Sequence, residues 1–343
     1  MTPTQHHTQA HRITAYLIAV LLITLAGACS SHKGNRPQGT DADQHDTLQL
    51  ALMPTLDCLP FYVAAQCGLY DSLALPVHIN TYYALFDTDT AITNHRADVA
   101  YTDLIHTALL QQQGVPVYAI MQAEGTHSLV TTAAKRITRL PQLKERMVAI
   151  ARHSVTDWML DTTIAMAGID PALVYHPQIN DIVLRHRMIE NGTIDAAFLP
   201  EPYVSQLKLK GHRVINHTQQ LQFRPMTFVA TAGILRQDSC HHRLSRLFTA
   251  YAQAATLLNN GTVADTVRLI LERHGISRQT TDSLTLPHYD TRPNGVVQHN
   301  VQTALQFLQR RNLVKGTYTA DTLCHDLTTT GQQQARPAQP TPH

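Results

Sequence analysis

Short apolar runs alternate with amphipathic segments along most of the chain. Residues 48–53 form an apolar run typical of a first strand, and residues 60–65 open a helix that Gly68 ends. The same order of strand and helix recurs through the first two hundred or so residues of the sequence. Later segments, at 243–258, 263–274 and 295–311, have the amphipathic pattern of helices. This alternation predicts an α/β protein with mostly parallel sheets and flanking helices.

Two short stretches echo each other. Residues 98–103 read Asp-Val-Ala-Tyr-Thr-Asp, and residues 195–201 read Asp-Ala-Ala-Phe-Leu-Pro-Glu; each follows a helical run and a turn. A short apolar strand that ends abruptly in polar or Pro-containing sequence is typical of a strand that runs up to a crevice. The pair predicts two similar lobes with a ligand cleft between them.

The two ends of the chain differ from its body. A single Arg precedes an apolar run at 13–25 that is shorter than the roughly 20 residues of a membrane span.

The crossings between lobes are expected near 122–128 and 222–227. The predicted segments are a signal peptide (1–28), a flexible tether (29–47), lobe one (48–124 and 226–327), lobe two (125–225) and a disordered tail (328–343).

Composition narrows the function. The 343 residues suffice for two domains of ordinary size, and 43% of them are hydrophobic. The formal net charge of +2 comes without a basic stripe, so we expect no nucleic-acid partner. The 21 histidines lack the spacing of metal ligands, so we expect neither a metal nor a cofactor.

The cysteines of the body have no disulfide framework. Cys58 and Cys67 flank a predicted helix, and a rise of about 1.5 Å per residue sets their Cα atoms beyond the roughly 7 Å that a disulfide allows. A bond between Cys240 and Cys324 stays open.

Several fragments, in order, resemble one family. They are Pro-Phe-Tyr-Val-Ala at 60–64 with Gly-Leu-Tyr-Asp-Ser at 68–72, the helix end at 94–98 before Val-Ala-Tyr, Gly-Val-Pro-Val at 114–117, Met-Ala-Gly-Ile at 166–169, and Gly-Thr-Ile-Asp-Ala at 192–196 with Glu-Pro-Tyr at 201–203. Over residues 48–320 the chain resembles the type II periplasmic solute-binding proteins of the nitrate, taurine, alkanesulfonate and thiamine-pyrimidine-precursor group. These are the capture subunits of ABC importers. His153 before Ser154, and Asp57-Cys58 in the first turn, depart from the family pattern, so the resemblance does not imply a ligand class.

The resemblance implies a two-lobed, periplasmic-binding-protein-like (type II) α/β fold and a monomer that hands a small molecule to an ABC permease. It implies a binding protein and not an enzyme. Cys29 follows Ala26-Gly27-Ala28, as in a bacterial lipoprotein signal, although Leu25 lies four places before it and not three. This similarity implies lipidation of Cys29 and a place in the cell envelope, anchored to a membrane and facing the periplasm or the exterior. The alternative is an ordinary signal peptide cut near Ala28.

Ligand contacts are expected at the carboxyl ends of strands and in the turns that follow. The candidates are Thr55, Asp57, Thr102, Asp103, Ser154, Thr156, Glu201 and Tyr203. The structural alternatives are helix N-capping for Asp57, Asp103 and Ser154, and a solvated loop carboxylate for Glu201. If the carboxylates face the cleft, they favour a ligand with a basic nitrogen over a sulfonate or nitrate.

Two other functions share this sequence pattern. One is an enzyme on the same fold, similar to the thiamine-pyrimidine synthases or the menaquinone-pathway enzymes, but the chain lacks the cysteine-rich cluster of the synthases. The other is a ligand-sensing lipoprotein that feeds no transporter.

Overall fold

The computed structural model describes residues 47–123, 125–217, 221–236, 238–292, 295–315 and 319–325. The predicted signal peptide, Cys29, residues 30–46 of the tether and the tail lie outside these ranges. The described residues belong to one compact unit, in which the strands form two separate sheets. In this part of the chain, every helix is too short or too polar to cross a membrane.

The first sheet has five strands. They are β1 (Leu48–Leu52), β2 (Val77–Thr81), β3 (Val99–Asp103), β4 (Val117–Gln122) and β9 (Met226–Thr231). Their order is β2-β1-β3-β9-β4. β1 is parallel to β2 and β3, whereas β9 is antiparallel to β3 and β4.

The second sheet has four strands. They are β5 (His127–Thr131), β6 (Val148–Ala149), β7 (Ala196–Pro200) and β8 (Arg213–His217). Their order is β6-β7-β5-β8. β6 and β7 are parallel, and β5 is antiparallel to both β7 and β8.

The predicted α/β class is confirmed, and in each sheet every described strand but one runs in the same direction: β9 is the exception in the first sheet and β5 in the second. The chain crosses from β4 to β5 and returns from β8 to β9. The chain leaves the first sheet at the end of β4, and β9 enters the sheet from that same end. β9 therefore runs antiparallel to β4. The antiparallel pairs among the described strands therefore all involve β4, β5, β8 or β9. The lobe boundaries stay a prediction.

Helices cover the sheets. They are α1 (Leu59–Gln66), α2 (Leu69–Ser72), α3 (Leu85–Thr93), α4 (Leu104–Gln112), α5 (Val155–Ala167), α6 (Ile182–Glu190), α7 (Tyr203–Leu209), α8 (Ala232–Arg236), α9 (Asp238–Asn259), α10 (Ala264–Arg273), α11 (Arg278–Ser283), α12 (Gln298–Arg310) and α13 (Ala320–Leu323). In the first sheet α3 packs on β1 and β3, and α4 packs on β3 and β4. In the second sheet α6 and α7 pack on β7. The C-terminal helices return to the first sheet and its helices, with α9 on α1, α12 on α4 and α13 on β4.

The two echoing stretches form equivalent elements, one in each sheet. The Asp98 N–H donates to the Gln49 carbonyl at 2.8 Å, and its carboxylate accepts from the Gln49 N–H at 2.8 Å. Asp195 makes the same pair of bonds with Met147, at 3.1 and 2.9 Å. Each Asp therefore fastens the start of its own strand to the neighbouring parallel segment.

Aromatic packing organises the core beneath the first sheet. The Phe228 ring lies 4.9 Å from that of Phe61 and 5.3 Å from that of Tyr101, and all three side chains are fully buried. Trp158 is also buried, and its ring centroid lies 4.3 Å from that of Phe223. This core fixes Tyr101, which carries a hydrogen bond into the candidate site.

Cysteines take no part in cross-links among the described side chains. Cys58, Cys67 and Cys324 are free thiols. The side chain of Cys240 lies outside the described part of the structure.

Candidate functional site

A cavity of about 230 Å³ lies where loops of the two sheets meet. We call it the intersheet cavity. Four segments line it: the turn after β1 (Thr55, Leu56, Asp57), the connection from β4 to β5 (Gly125, Thr126), the end of β7 (Pro200, Glu201) and the loop after α11 (Thr285, Leu286, Pro287). The structure thus brings together Thr55, Asp57 and Glu201 from the predicted set.

Asp57 lies in a buried turn after β1. Its carboxylate accepts a hydrogen bond from the Tyr101 hydroxyl at 2.5 Å. Burial raises the pKa of Tyr101 well above its ordinary value, and the Asp57 charge raises it further. The Tyr101 hydroxyl therefore remains a donor at neutral pH, and from within the core it holds one oxygen of the Asp57 carboxylate in place.

Glu201 follows β7, and the peptide bond between Glu201 and Pro202 is cis. Its carboxylate accepts from the Ser205 N–H at 3.0 Å, in the first turn of α7. Its carbonyl accepts from the Leu56 N–H at 3.2 Å. That backbone bond joins the loops of the two sheets beside the cavity and holds the Asp57 and Glu201 segments together.

The charged side chains that line the cavity are both carboxylates. Of the residues that line it within the described chain, none is Lys, Arg or His, whereas two are carboxylates. The Thr55 hydroxyl is buried and has no hydrogen-bond partner among the described residues. The cavity can therefore offer a ligand two negative charges and a hydroxyl.

Tyr203 lies beside the end of β7 but does not line the cavity. Its ring meets that of His186 edge-on, with centroids 5.7 Å apart. Burial raises the pKa of Tyr203. Tyr203 is therefore a core residue of the second half of the molecule, the part built around the four-stranded sheet.

Thr102 and Asp103 are fully buried at the end of β3. The Thr102 hydroxyl donates to Asp89 at 2.8 Å. The Asp103 carboxylate accepts from the His106 N–H at 2.7 Å, which is the predicted N-cap bond, and from the Val155 N–H at 2.8 Å. Burial raises the pKa of Asp103, and the charge of His106 and the two backbone donors oppose that rise.

Ser154 and Thr156 are likewise buried in internal bonds. The Ser154 hydroxyl caps α5 by accepting from the Thr156 N–H at 3.1 Å, and the Thr156 hydroxyl accepts from the Ala151 N–H at 2.8 Å. The Asp157 carboxylate, one turn into α5, accepts from the His153 N–H at 2.7 Å. Together with Thr102 and Asp103, these residues stand outside the intersheet cavity, and ligand contact for them stays a prediction.

A second cavity, of about 450 Å³, runs between α3 and α4. At its wall the buried His106 ring pairs through Nδ1 with Asp89, while Nε2 is buried without a partner among the described residues. Burial by itself lowers the pKa of His106, but the carboxylates of Asp89 and Asp103 outweigh it and raise the pKa to about 9. The pair is therefore ionic at neutral pH. The sequence interpretation missed it because its members belong to two different helices.

The interpretation also missed two of the four segments that line the intersheet cavity. Residues 285–287 lie between helices and follow no periodic pattern, so no sequence signal marks them. Gly125 and Thr126 lie within the predicted crossing, which could have identified them.

Comparison with known proteins gives the family and the fold. The family model described as NMT1/THI5 like matches residues 55–255. A search of curated proteins finds no significant match. The alkanesulfonate-binding protein SsuA from Xanthomonas axonopodis pv. citri, bound to MOPS, superimposes with a TM-score of 0.70 at 13% identity, over 82% of this chain and 98% of that one.

Two further structures share the fold. The periplasmic nitrate-binding protein NrtA from Synechocystis PCC 6803 has a TM-score of 0.66 at 13% identity, over 84% of this chain and 89% of that one. The desulfurization enzyme DSZB has a TM-score of 0.59 at 14% identity, over 85% of this chain and 100% of that one. The fold is that of the periplasmic binding proteins, and with more than half of its length matched by the family model, this chain belongs to the NMT1/THI5-like family.

Proposed function

We propose that this protein is the substrate-binding component of an ABC-type import system and captures a small solute with a positively charged nitrogen. The observation that carries this proposal is the pair of carboxylates, Asp57 and Glu201, on one cavity. They follow strands of different sheets, so a cation between them would be held from both sides. Such a ligand would favour closure of the two halves around it.

Electrostatics supports this ligand class. Two carboxylates that share a confined cavity repel each other, and a bound cation relieves that repulsion. Attraction between opposite charges strengthens as water leaves the site. An anion in the same place would meet both carboxylates and no cationic lining residue within the described chain. The ligand class proposed here therefore differs from the sulfonate and nitrate that the names of two structural neighbours record.

The size of the cavity supports a small solute. Its volume of about 230 Å³ lies below the roughly 300–1,000 Å³ of pockets for drug-sized ligands. The apolar lining from Leu56, Leu286 and the two prolines would contact the carbon skeleton.

Calorimetric titration of the protein from Ser30 onward tests the ligand class with matched panels of primary amines, basic pyrimidines, amino acids, alkanesulfonates and nitrate. We expect an amine or another basic nitrogen compound to bind, with affinity reduced about 10- to 100-fold by Asp57→Asn or Glu201→Gln, because each removes a charge-assisted contact. The exposed Glu272→Gln is the charge-matched control. Tight sulfonate binding, or amine binding unaffected by both cavity variants, would contradict the proposal.

Closure and delivery are tested separately. X-ray scattering with and without the identified ligand should show a smaller radius of gyration in the complex, and identical profiles would refute closure. If genes for a permease and an ATPase lie beside this gene, their deletion should abolish cellular uptake of the labelled ligand. Uptake unchanged by the deletion would favour the ligand-sensing alternative.

The anchor forms a further part of the proposal. We expect Cys29 to carry acyl chains that hold a monomeric protein at the membrane. Metabolic labelling with an alkyne fatty acid should mark the full-length protein and not Cys29→Ser. Cys67→Ser, which changes an exposed free thiol, should be labelled like the wild type. Labelling that survives in Cys29→Ser would refute the anchor, and light scattering of the released protein checks the monomer.

An enzyme is the second candidate because DSZB shares the fold and the Asp89–His106 pair lies on a cavity. Mass spectrometry of the ligand after long incubation distinguishes the two. A binding protein returns the ligand unchanged, whereas turnover that His106→Gln abolishes would identify an enzyme.

A further inference from the structure

Asp103 joins the N-termini of two helices that pack on different sheets. One carboxylate oxygen accepts from the His106 N–H, in the first turn of α4, at 2.7 Å. The other accepts from the Val155 N–H, the first residue of α5, at 2.8 Å. The side chain is completely buried. A residue from the first sheet therefore lies where the second half begins its longest helix.

The N-terminus of a helix binds anions because its first N–H groups lack helical partners and carry partial positive charge. In α5 these donors are all engaged. Val155 donates to Asp103 and Thr156 to the Ser154 hydroxyl, and the next two N–H groups donate to the Ser154 carbonyl at 3.1 Å each. No donor in this first turn remains for an anion from solution.

We propose that Asp103 is a specificity-determining residue that serves as a built-in anion at the N-terminus of α5. Its carboxylate fills the place that an anionic ligand would take between the two halves, and so excludes sulfonates and nitrate from that place. The inference rests on the proposed binding function and narrows its substrate class. Asp103 does not line the intersheet cavity, so its proposed role is separate from the cation contacts of Asp57 and Glu201.

Three variants isolate this role. Asp103→Ser keeps a good N-cap for α4 but shortens the side chain so that it no longer reaches Val155. Asp103→Asn keeps the size and an acceptor oxygen and removes the charge. The control is Asp181→Ser, because Asp181 caps α6, a helix as long as α4, through the Leu184 N–H at 2.8 Å.

Hydrogen exchange at the Val155 amide, measured by NMR with and without sodium methanesulfonate, reads out the site. In Asp103→Ser the amide should exchange about tenfold faster than in the wild type, as expected for the loss of one hydrogen bond. Methanesulfonate should restore its protection in this variant and raise the melting temperature. The same salt should change neither property in the wild type, in Asp103→Asn or in Asp181→Ser beyond their common salt effect.

Two results would overturn the inference: protection of Val155 by methanesulfonate with Asp103 intact, or absence of rescue in a folded Asp103→Ser protein. If Asp103→Ser does not fold, Asp103→Asn decides, because its Val155 amide must exchange faster than that of the wild type and stay unresponsive to the anion.

Amine titration distinguishes failure of the Asp103 inference from failure of the proposed function. Amine binding lost in Asp57→Asn together with no anion rescue would remove only the role of Asp103, whereas anion rescue without amine binding would remove only the cation site.

Discussion

Gly125 lies so close to Asp57 that a side chain there has no room. A Cβ atom added at Gly125 would overlap the Asp57 carboxylate. We expect Gly125→Ala to displace that carboxylate, to lower stability by about 1–3 kcal/mol as overpacking does, and to abolish tight amine binding. Gly295→Ala is the control, since a Cβ there meets nothing within 4 Å. Urea unfolding and calorimetric titration measure both effects, and wild-type affinity in Gly125→Ala would contradict the placement of Asp57 on the cavity.

His106 predicts how stability depends on pH. Its folded pKa of about 9 exceeds the ordinary value of 6.5, so the native state favours the protonated ring. The stability gained this way is complete below pH 6.5 and is lost as the pH rises through about 9, with an upper bound of about 3 kcal/mol. Urea unfolding across this range should show the loss in the wild type and in His78→Gln, an exposed control. His106→Gln should flatten it, and an equally steep decline in that variant would assign the dependence to another group.

Asp98 and Asp195 stabilise the first residues of β3 and β7, and this contribution to stability can be tested. Each carboxylate satisfies a backbone N–H of the neighbouring segment, at Gln49 and at Met147. Replacement by Ala leaves that N–H without its acceptor, so Asp98→Ala and Asp195→Ala should each lower the free energy of unfolding by about 1–3 kcal/mol. Asn keeps an acceptor oxygen and should lose less. Chemical denaturation of the four variants tests this, and equal losses for Ala and Asn at both positions would show that charge and not hydrogen bonding matters.

Elements whose determinants are local could be predicted from the sequence. The strands after Asp98 and Asp195, and the caps at Asp103 and Ser154, follow from neighbouring residues. The direction of β9 could not, because it depends on where the chain re-enters a sheet after a long excursion. The lining of the intersheet cavity divides in the same way: Asp57 and Glu201 follow strands and belong to the predicted set, whereas the loop at 285–287 reaches the cavity only through tertiary packing. The bond from Asp103 to Val155 joins positions far apart in sequence, for which no local pattern exists.

At the scale of the whole molecule, several bonds besides the two chain crossings link the halves. The Ile182 N–H donates to the Tyr83 carbonyl at 2.9 Å, and the Leu56 N–H donates to the Glu201 carbonyl at 3.2 Å. These bonds stabilise the arrangement in which Asp57 and Glu201 line one cavity. Any ligand affinity that depends on closure therefore includes the free energy of such bonds, even where they lie away from the ligand.

Arg311 offers the clearest test of that coupling. It lies just past α12, which packs on the first half, and binds Asp157 at 3.0 Å and Asp161 at 2.8 Å, both on α5. The Asp157 carboxylate is almost fully buried, whereas that of Asp161 is partly exposed, so salt screens the bond to Asp161 more than the bond to Asp157. Arg311 does not line the intersheet cavity. Under the proposed capture mechanism its bonds to α5 contribute to the closed form alone, so Arg311→Gln should weaken amine binding about tenfold.

The exposed Arg310→Gln carries the same change of charge and should bind as the wild type does. Raising the salt concentration should weaken the wild type towards Arg311→Gln and leave that variant less affected. Calorimetric titration at two ionic strengths measures both trends. If Arg311→Gln bound the amine as tightly as Arg310→Gln, the bridge to α5 would not contribute to closure, and affinity would have to be assigned to the cavity contacts alone.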